Sequence, residues 1–274
     1  MVWLSENKER FLYINSIVFI FFVLLFFIFF DLFEGSMLDV FMFKERLWFV
    51  REGIDLNPNL LGVLAAVSFI GAYLNKSKFF SFISLYILLL TQSRAALLFL
   101  LVYLVFSSLK SFKNTVFVFV LSMSLGLFIF MNESLNRLSD FSMNGRDERK
   151  YEALSLINKN FPNGYDMVEM KRFINNVGTV DNLYLSLILK WGGVGIVFLI
   201  LFFLPVFKSN SILKSIPVIL SVLVYGFFEE SFISNIMLLT FLGLFVFNSV
   251  DKVKLSVWIY CILSHSVALV VLKK

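Results

Sequence analysis

A chain of 274 residues that is 59% hydrophobic, with 36 Phe and 4 Pro and a mean hydropathy of +0.86, is too apolar for a water-soluble domain, where about 45–50% of residues are apolar even with Gly counted. It reads as an all-α, polytopic integral membrane protein forming a single membrane domain over 1–274. The net charge of +5 suits cytoplasmic anchoring loops rather than nucleic acid, and one Cys (Cys261) and one His (His265) exclude a disulfide framework or a multi-His metal motif.

About 20 apolar residues cross the hydrocarbon core. The first apolar run, 11–33, is too long for a signal peptide and lacks a small-residue cleavage site, so it is read as a span. Further spans follow near 57–75, 79–91, 95–109, 114–131, 183–206, 213–228, 232–249 and 255–272, about nine transmembrane helices in all. Lys8 and Arg10, Lys76 and Lys78, Lys110 and Lys113, Lys208 and Lys214, and Lys252 and Lys254 fall in alternate short loops. The positive-inside rule makes those loops and the N-terminus cytoplasmic in a multi-pass protein. An odd number of spans then places the C-terminus outside, against the mild pull of Lys273 and Lys274. Two segments remain for the outer side, 34–57 and the long extracytoplasmic loop 132–182. In that loop Tyr151, Leu154, Ile157 and Phe161 recur at helical spacing, and Asn144 can cap the start. The spacing predicts a short amphipathic helix over 146–160, stopped by Pro162-Asn163-Gly164.

The polar residues that interrupt this pattern are the candidates for chemistry. Arg94 lies between two apolar runs, and an Arg at mid-helix in lipid costs at least roughly 3 kcal/mol. Placing Thr91-Gln92-Ser93 as the turn of a helical hairpin removes that cost and frees the guanidinium to grip an anion bidentately. Arg51, ahead of Asn57-Pro58-Asn59, and Arg146, opening the loop helix, are the other outer arginines, for which snorkelling to lipid phosphate is the plain alternative. Asp181 and Asn182 stand at the outer end of 183–206, where Asp181 can cap the helix or take a proton from a hydroxyl. Lys190 is expected to face the bundle interior, and Gly192, Gly193 and Gly195 to permit close helix approach. Glu229 and Glu230, at an outer turn, can be solvated, balance the arginines or act as a base.

Taken together these pieces resemble the O-antigen polymerase and O-antigen ligase superfamily. Ser93-Arg94-Ala-Ala-Leu is similar to its Ser-Arg-Gly/Ala segment, and Arg51 with Asn57-Pro58-Asn59 to its Arg…Asn-Pro-Asn opening of a span. Asn144-Gly145-Arg146 and Phe161-Pro162-Asn163-Gly164-Tyr165 resemble its external loop, and Asp181-Asn182-Leu183-Tyr184 with Gly192 to Gly195 the span after it. The resemblance covers roughly 46–235, although family members are usually longer before the Arg51 region. It implies a location in the bacterial inner (plasma) membrane and inverting glycosyl transfer on its outer face, with no metal or other cofactor. The partners it implies are an undecaprenyl-diphosphate-linked oligosaccharide, membrane lipid, a chain-length regulator and a flippase. Arg94, Arg146 and Arg51 would then hold the diphosphate, and Asp181 or Glu229 would serve the acceptor hydroxyl. Ligases of the superfamily carry His-Asn where this chain has Asp181-Asn182, which favours a polymerase. A ligase, a lipid-linked glycan transporter and a non-catalytic subunit of a polysaccharide machine are the rival readings.

Overall fold

The computed structural model describes residues 8–52, 54–109, 146–177, 180, 182–197, 200 and 212–228, with positions 116, 118, 120 and 123. These are mostly helical and belong to two compact units. One comprises Val2–Phe141 with Leu220–Tyr225, and the other holds Ser142–Ile219 and Gly226–Lys274.

In the N-terminal unit, α1 (Lys8–Phe29) is a run of Phe, Leu, Ile and Val. Its 22 residues span about 33 Å at 1.5 Å per residue, enough for a core of about 30 Å. Only 28% of Leu12–Phe29 is buried, and Phe21, Leu24 and Ile28 are exposed. A soluble protein would hide such a helix in its core; this one presents its apolar face outward. Among the described residues it is the one helix long and apolar enough to cross a membrane.

The expected run 11–33 stops at Phe29 because the chain turns into a sheet. Strands β1 (Asp31–Leu32), β2 (Phe49–Arg51) and β3 (Ile54–Leu56) pair antiparallel in that order, a correction to the all-α expectation. Fully buried Phe49 anchors the sheet, its ring 4.9 Å from Phe27 and 5.7 Å from Phe26 between centroids. Between β1 and β2, α2 (Met37–Phe41) opens with a capping box: Asp39 N–H donates to Ser36 Oγ at 3.2 Å, and Ser36 N–H to Asp39 Oδ2 at 3.3 Å.

Helix α3 (Pro58–Leu74) is the centre of the unit, packed by α1, α4 (Lys78–Thr91) and α5 (Arg94–Ser108). Its small residues let neighbours come close, and hydrogen bonds join them. Gly71 lies against the Leu12 carbonyl, and buried Ser16 donates to Ser68 O at 2.7 Å. The bounds agree with the expected 57–75, 79–91 and 95–109 to within a residue. At 14–17 residues these helices are about 21–26 Å long, short of the full core thickness.

In the C-terminal unit, α6 (Arg146–Asn160), α7 (Met167–Val177) and α8 (Leu183–Trp191) share a core of Ala153, Met170, Phe173, Val180 and Leu189. The loop helix has the expected bounds but a different buried face. Ala153, Leu156 and Ile157 turn inward, while Tyr151, Leu154 and Phe161 are exposed. Helix α7 was not expected; Asp166 Oδ1 caps it, accepting from Val168 N and Glu169 N at 2.8 and 2.7 Å. The expected span 183–206 is broken: α8 ends after nine residues at Gly192, and helix resumes over 193–197. Helix α9 (Ile212–Phe228) matches the expected 213–228. Of 114–131 four positions are described, while 232–249, 255–272, Asn144, Cys261 and His265 lie outside the described residues.

Candidate functional site

The hairpin expected at Arg94 is present. Helix α4 runs to Thr91, and Gln92 turns the chain with a left-handed backbone (φ 47°). Ser93 then caps α5, accepting from Ala96 N at 3.4 Å. Arg94 is the first residue of α5 and is half-buried. Thr91, Gln92 and Ser93 are buried, and each polar side chain has a bond, as burial demands.

What holds this turn comes from far away in sequence. Arg46 donates from Nε to Thr91 O at 3.0 Å and from Nη2 to Asn59 Oδ1 at 3.1 Å. Leu47 N–H reaches Leu90 O at 2.8 Å, and Gln92 Nε2 reaches Phe43 O at 2.9 Å. The segment 43–47 thus straps the hairpin top. Asn57 caps α3 by accepting from Leu60 N at 2.9 Å, with Pro58 in the first turn where its missing N–H costs nothing. Gly62, one turn further on, lies against Thr91, Ser93 and Ala96. Tyr225, fully buried with its ring edge on Phe99, donates to Asn59 O at 3.4 Å.

The N-termini of α3 and α5 are therefore held at one end of the unit, bridged by Arg46, with Arg94 in the first turn of α5. Each helix N-terminus carries a partial positive charge from its unpaired N–H groups. Two such termini and two arginines concentrate positive charge at this end of the unit. Sequence reading missed Arg46; its position in a polar segment next to a strand gives no sign of contacts 45 residues away.

Arg51 makes a separate contact at the same end of the unit, since α1 runs antiparallel to α3 and β3 leads directly into α3. It lies exposed on β2 and donates from Nη1 to Phe29 O at 2.7 Å, satisfying a terminal carbonyl of α1 where a cation is electrostatically favoured. A guanidinium carries five N–H donors, so this bond does not exhaust it. The bonds that build the hairpin top do not include Arg51.

In the C-terminal unit the cap of α8 is corrected. Asn182, not Asp181, accepts from Leu185 N at 3.0 Å, and its Nδ2 donates to Phe227 O at 3.1 Å. Asn182 is buried, and Tyr184 lies against Phe227 with ring centroids 4.8 Å apart. The start of α8 is thereby tied to the end of α9. Asp181, Glu229 and Glu230 lie outside the described residues, as does the side chain of Arg146, which opens α6. Asp181 precedes Asn182 in the chain, and Glu229 comes two residues after Phe227.

The glycine cluster receives the loop turn rather than a helix. Gly192 has φ +57°, and a Cβ there would run into the Pro162 carbonyl and Asn163. Gly193 N–H donates to Pro162 O at 2.8 Å, and Tyr165 N–H to Leu189 O at 2.9 Å. Gly164 packs on the Lys190 carbonyl, and Lys190 itself is half-buried. Comparison with protein-family models, with curated proteins and with solved structures finds no match to this chain.

Proposed function

We propose that the chain is a polytopic inner-membrane enzyme that polymerises undecaprenyl-diphosphate-linked oligosaccharide repeats on the outer face, with the nine-span topology its charge pattern implies. The observation that carries this reading is the hairpin top. Arg94 opens a helix whose buried turn is strapped by a second arginine, Arg46, next to another helix N-terminus. That is what a diphosphate leaving group needs. In the reaction an acceptor hydroxyl oxygen bonds to the anomeric carbon of the donor sugar. The bond from that carbon to the diphosphate oxygen breaks, and the electron pair leaves with undecaprenyl diphosphate. The hydroxyl proton passes to Asp181 or Glu229. Arg94, with Arg146 and Arg51 as further diphosphate ligands, stabilises the charge that develops.

The break at Gly192 favours a second reading, because discontinuous spans are a mark of transporters. One experiment separates the readings. Lipid-linked glycans are sized, and assigned to a membrane face, in cells carrying Arg94→Lys or Asp181→Asn. Lysine keeps the charge of Arg94 but not its planar fork. A polymerase leaves single repeats on the carrier outside. A ligase defect leaves long chains stranded on the carrier, and a transport defect leaves single repeats facing the cytoplasm. Normal polymer in both variants overturns the enzyme reading.

A further inference from the structure

The small sheet has two faces, and the register separates them. Phe49 pairs with Leu32 on one side and Leu56 on the other, and its ring is buried on α1. Alternation then puts Trp48, Val50 and their neighbours Asp31, Phe33 and Asp55 on the opposite face. Phe33 continues the ladder beyond β1, its N–H donating to Trp48 O at 2.9 Å. The Phe33 and Trp48 rings stack face to face, centroids 4.1 Å apart and planes 15° from parallel. Phe33 is 50% exposed, and the Trp48 indole N–H is fixed by Asp55 Oδ1 at 2.5 Å. Asp31 and Asp55 are exposed.

We infer that this face is a saccharide-binding platform. The inference rests on the extracytoplasmic, glycan-handling reading above and adds a second contact point for the glycan, apart from the diphosphate. A pyranose ring has an apolar face of C–H groups and a rim of hydroxyls. Backed face to face by Trp48, the half-exposed Phe33 ring offers a flat apolar surface for the first, held open at little entropic cost because an aromatic side chain has only two torsions. Carboxylates beside the rings accept from the second, and charge-assisted bonds of that kind are the stronger ones. Two carboxylates repel uronic or sialic acids, so the platform selects neutral or amino sugars. Aromatic residues at the end of a membrane helix also serve as interfacial anchors. Here Asp31 and Asp55 share the face with the rings, and seating it among acyl chains would strip water from both carboxylates, which is costly.

The test uses the full-length protein in its native host, so the cell supplies the correct glycan. Phe33→Ala and Trp48→Ala should shorten the polymer by a factor of roughly 2–10, the dwell lost with one stacked ring. Protein abundance and formation of the first dimeric repeat should be preserved. Trp48→Phe should restore much of the length, because it keeps the stack. Full-length polymer in Phe33→Ala and Trp48→Ala overturns the platform while leaving the enzyme reading intact. Unchanged polymer after deletion of the whole gene overturns both. In reconstituted protein, strong quenching of the Trp48 signal (taken against Trp48→Phe) by lipids brominated on their acyl chains would place the face in the bilayer and also overturn it.

Discussion

Gly62→Ala tests whether the packing of α3 on the hairpin turn sets the position of Arg94. A Cβ at Gly62 would stand 2.8 Å from Ser93 Cβ, 2.9 Å from Ala96 Cβ and 2.9 Å from Thr91 Oγ1. Ordinary carbon contacts are about 3.5–4.0 Å, so α3 and the turn must separate by roughly 0.5–1 Å. Thr91, Ser93 and Ala96 are fully buried, which leaves them no room to swing aside. Overpacking of this kind costs roughly 1–3 kcal/mol, offset by about 1 kcal/mol of helix propensity gained. The net loss is up to about 2 kcal/mol, or a fall of up to ~8 °C in melting temperature for a chain of this size. The functional effect is expected to be larger, because displacing a binding group by about 1 Å can cost a hundredfold in rate. Gly71→Ala, on the same helix, is the control. Its Cβ meets the Leu12 carbonyl oxygen at 2.5 Å and Ser16 Oγ at 2.6 Å, far from the turn in sequence. It should destabilise at least as much, yet the folded protein should keep its activity per molecule. Thermal scanning of both variants in nanodiscs, with polymer yield per folded molecule, decides the matter. A raised melting temperature with full polymer in Gly62→Ala would refute the close packing and the positioning argument together.

Three further outcomes follow from other parts of the structure. Asn182→Ser should lose only the bond to Phe227 O, about 1 kcal/mol, and Asn182→Ala the helix cap as well, about 2 kcal/mol in all, read by thermal scanning; equal losses would deny the double role. Gly192→Ala should cost roughly 1–3 kcal/mol through its backbone conformation and the Pro162 carbonyl, whereas Gly193→Ala, whose Cβ would lie 3.7 Å from Pro162, should be near neutral by the same assay. The Asp39 carboxyl is held below its ordinary value, chiefly by the Ser36 hydroxyl and then by the Ser36 N–H, with burial opposing and Lys44 assisting. A lowered folded pKa means that its contribution to α2 is complete above the ordinary value of 3.8 and is lost as pH falls through the lower folded value. Hydrogen exchange over 36–42, corrected for intrinsic rate, should therefore stay constant from pH 7 to 5 and rise only in stronger acid; Asp39→Ala should exchange faster throughout.

How much of this could be read from the chain depends on how local each cause is. The bounds of α3, α4 and α5 were legible because Asn57-Pro58 and Ser93 are local start signals and Lys76 to Lys78 a local polar stop. The Arg94 hairpin was legible because the cost of burying a charge leaves few places for it. The sheet was not, since strands of two and three residues give no periodicity to detect and Phe49 is fixed by rings on α1. The buried face of α6 was misread for a related reason. Tyr151, Leu154 and Phe161 are the bulkier stripe, but α7 and α8 pack on the side of small Ala153. The Gly192-Gly193 pair carried a usable signal for the break, because Gly just after a helix marks a left-handed stop as readily as a packing site.

The correction at Asn182 changes what an experiment on Asp181 can mean. Were Asp181 the cap of α8, its replacement by Asn would be harmless structurally and by Ala harmful, and lost activity would mix two causes. With Asn182 accepting from Leu185 N, the cap is already supplied, and neither replacement at Asp181 removes it. The same residue ties the start of α8 to Phe227, two residues before Glu229, so both candidate bases sit in the chain next to one buried, hydrogen-bonded junction. Asp181→Asn should then cost about 10²–10⁴ in polymerisation rate, as expected for loss of a general base, with no change in melting temperature. If the rate is unchanged, Glu229→Gln becomes the decisive variant. If rate and melting temperature fall together, the carboxylate supports the junction instead of the chemistry, and the assignment of Asp181 as base fails.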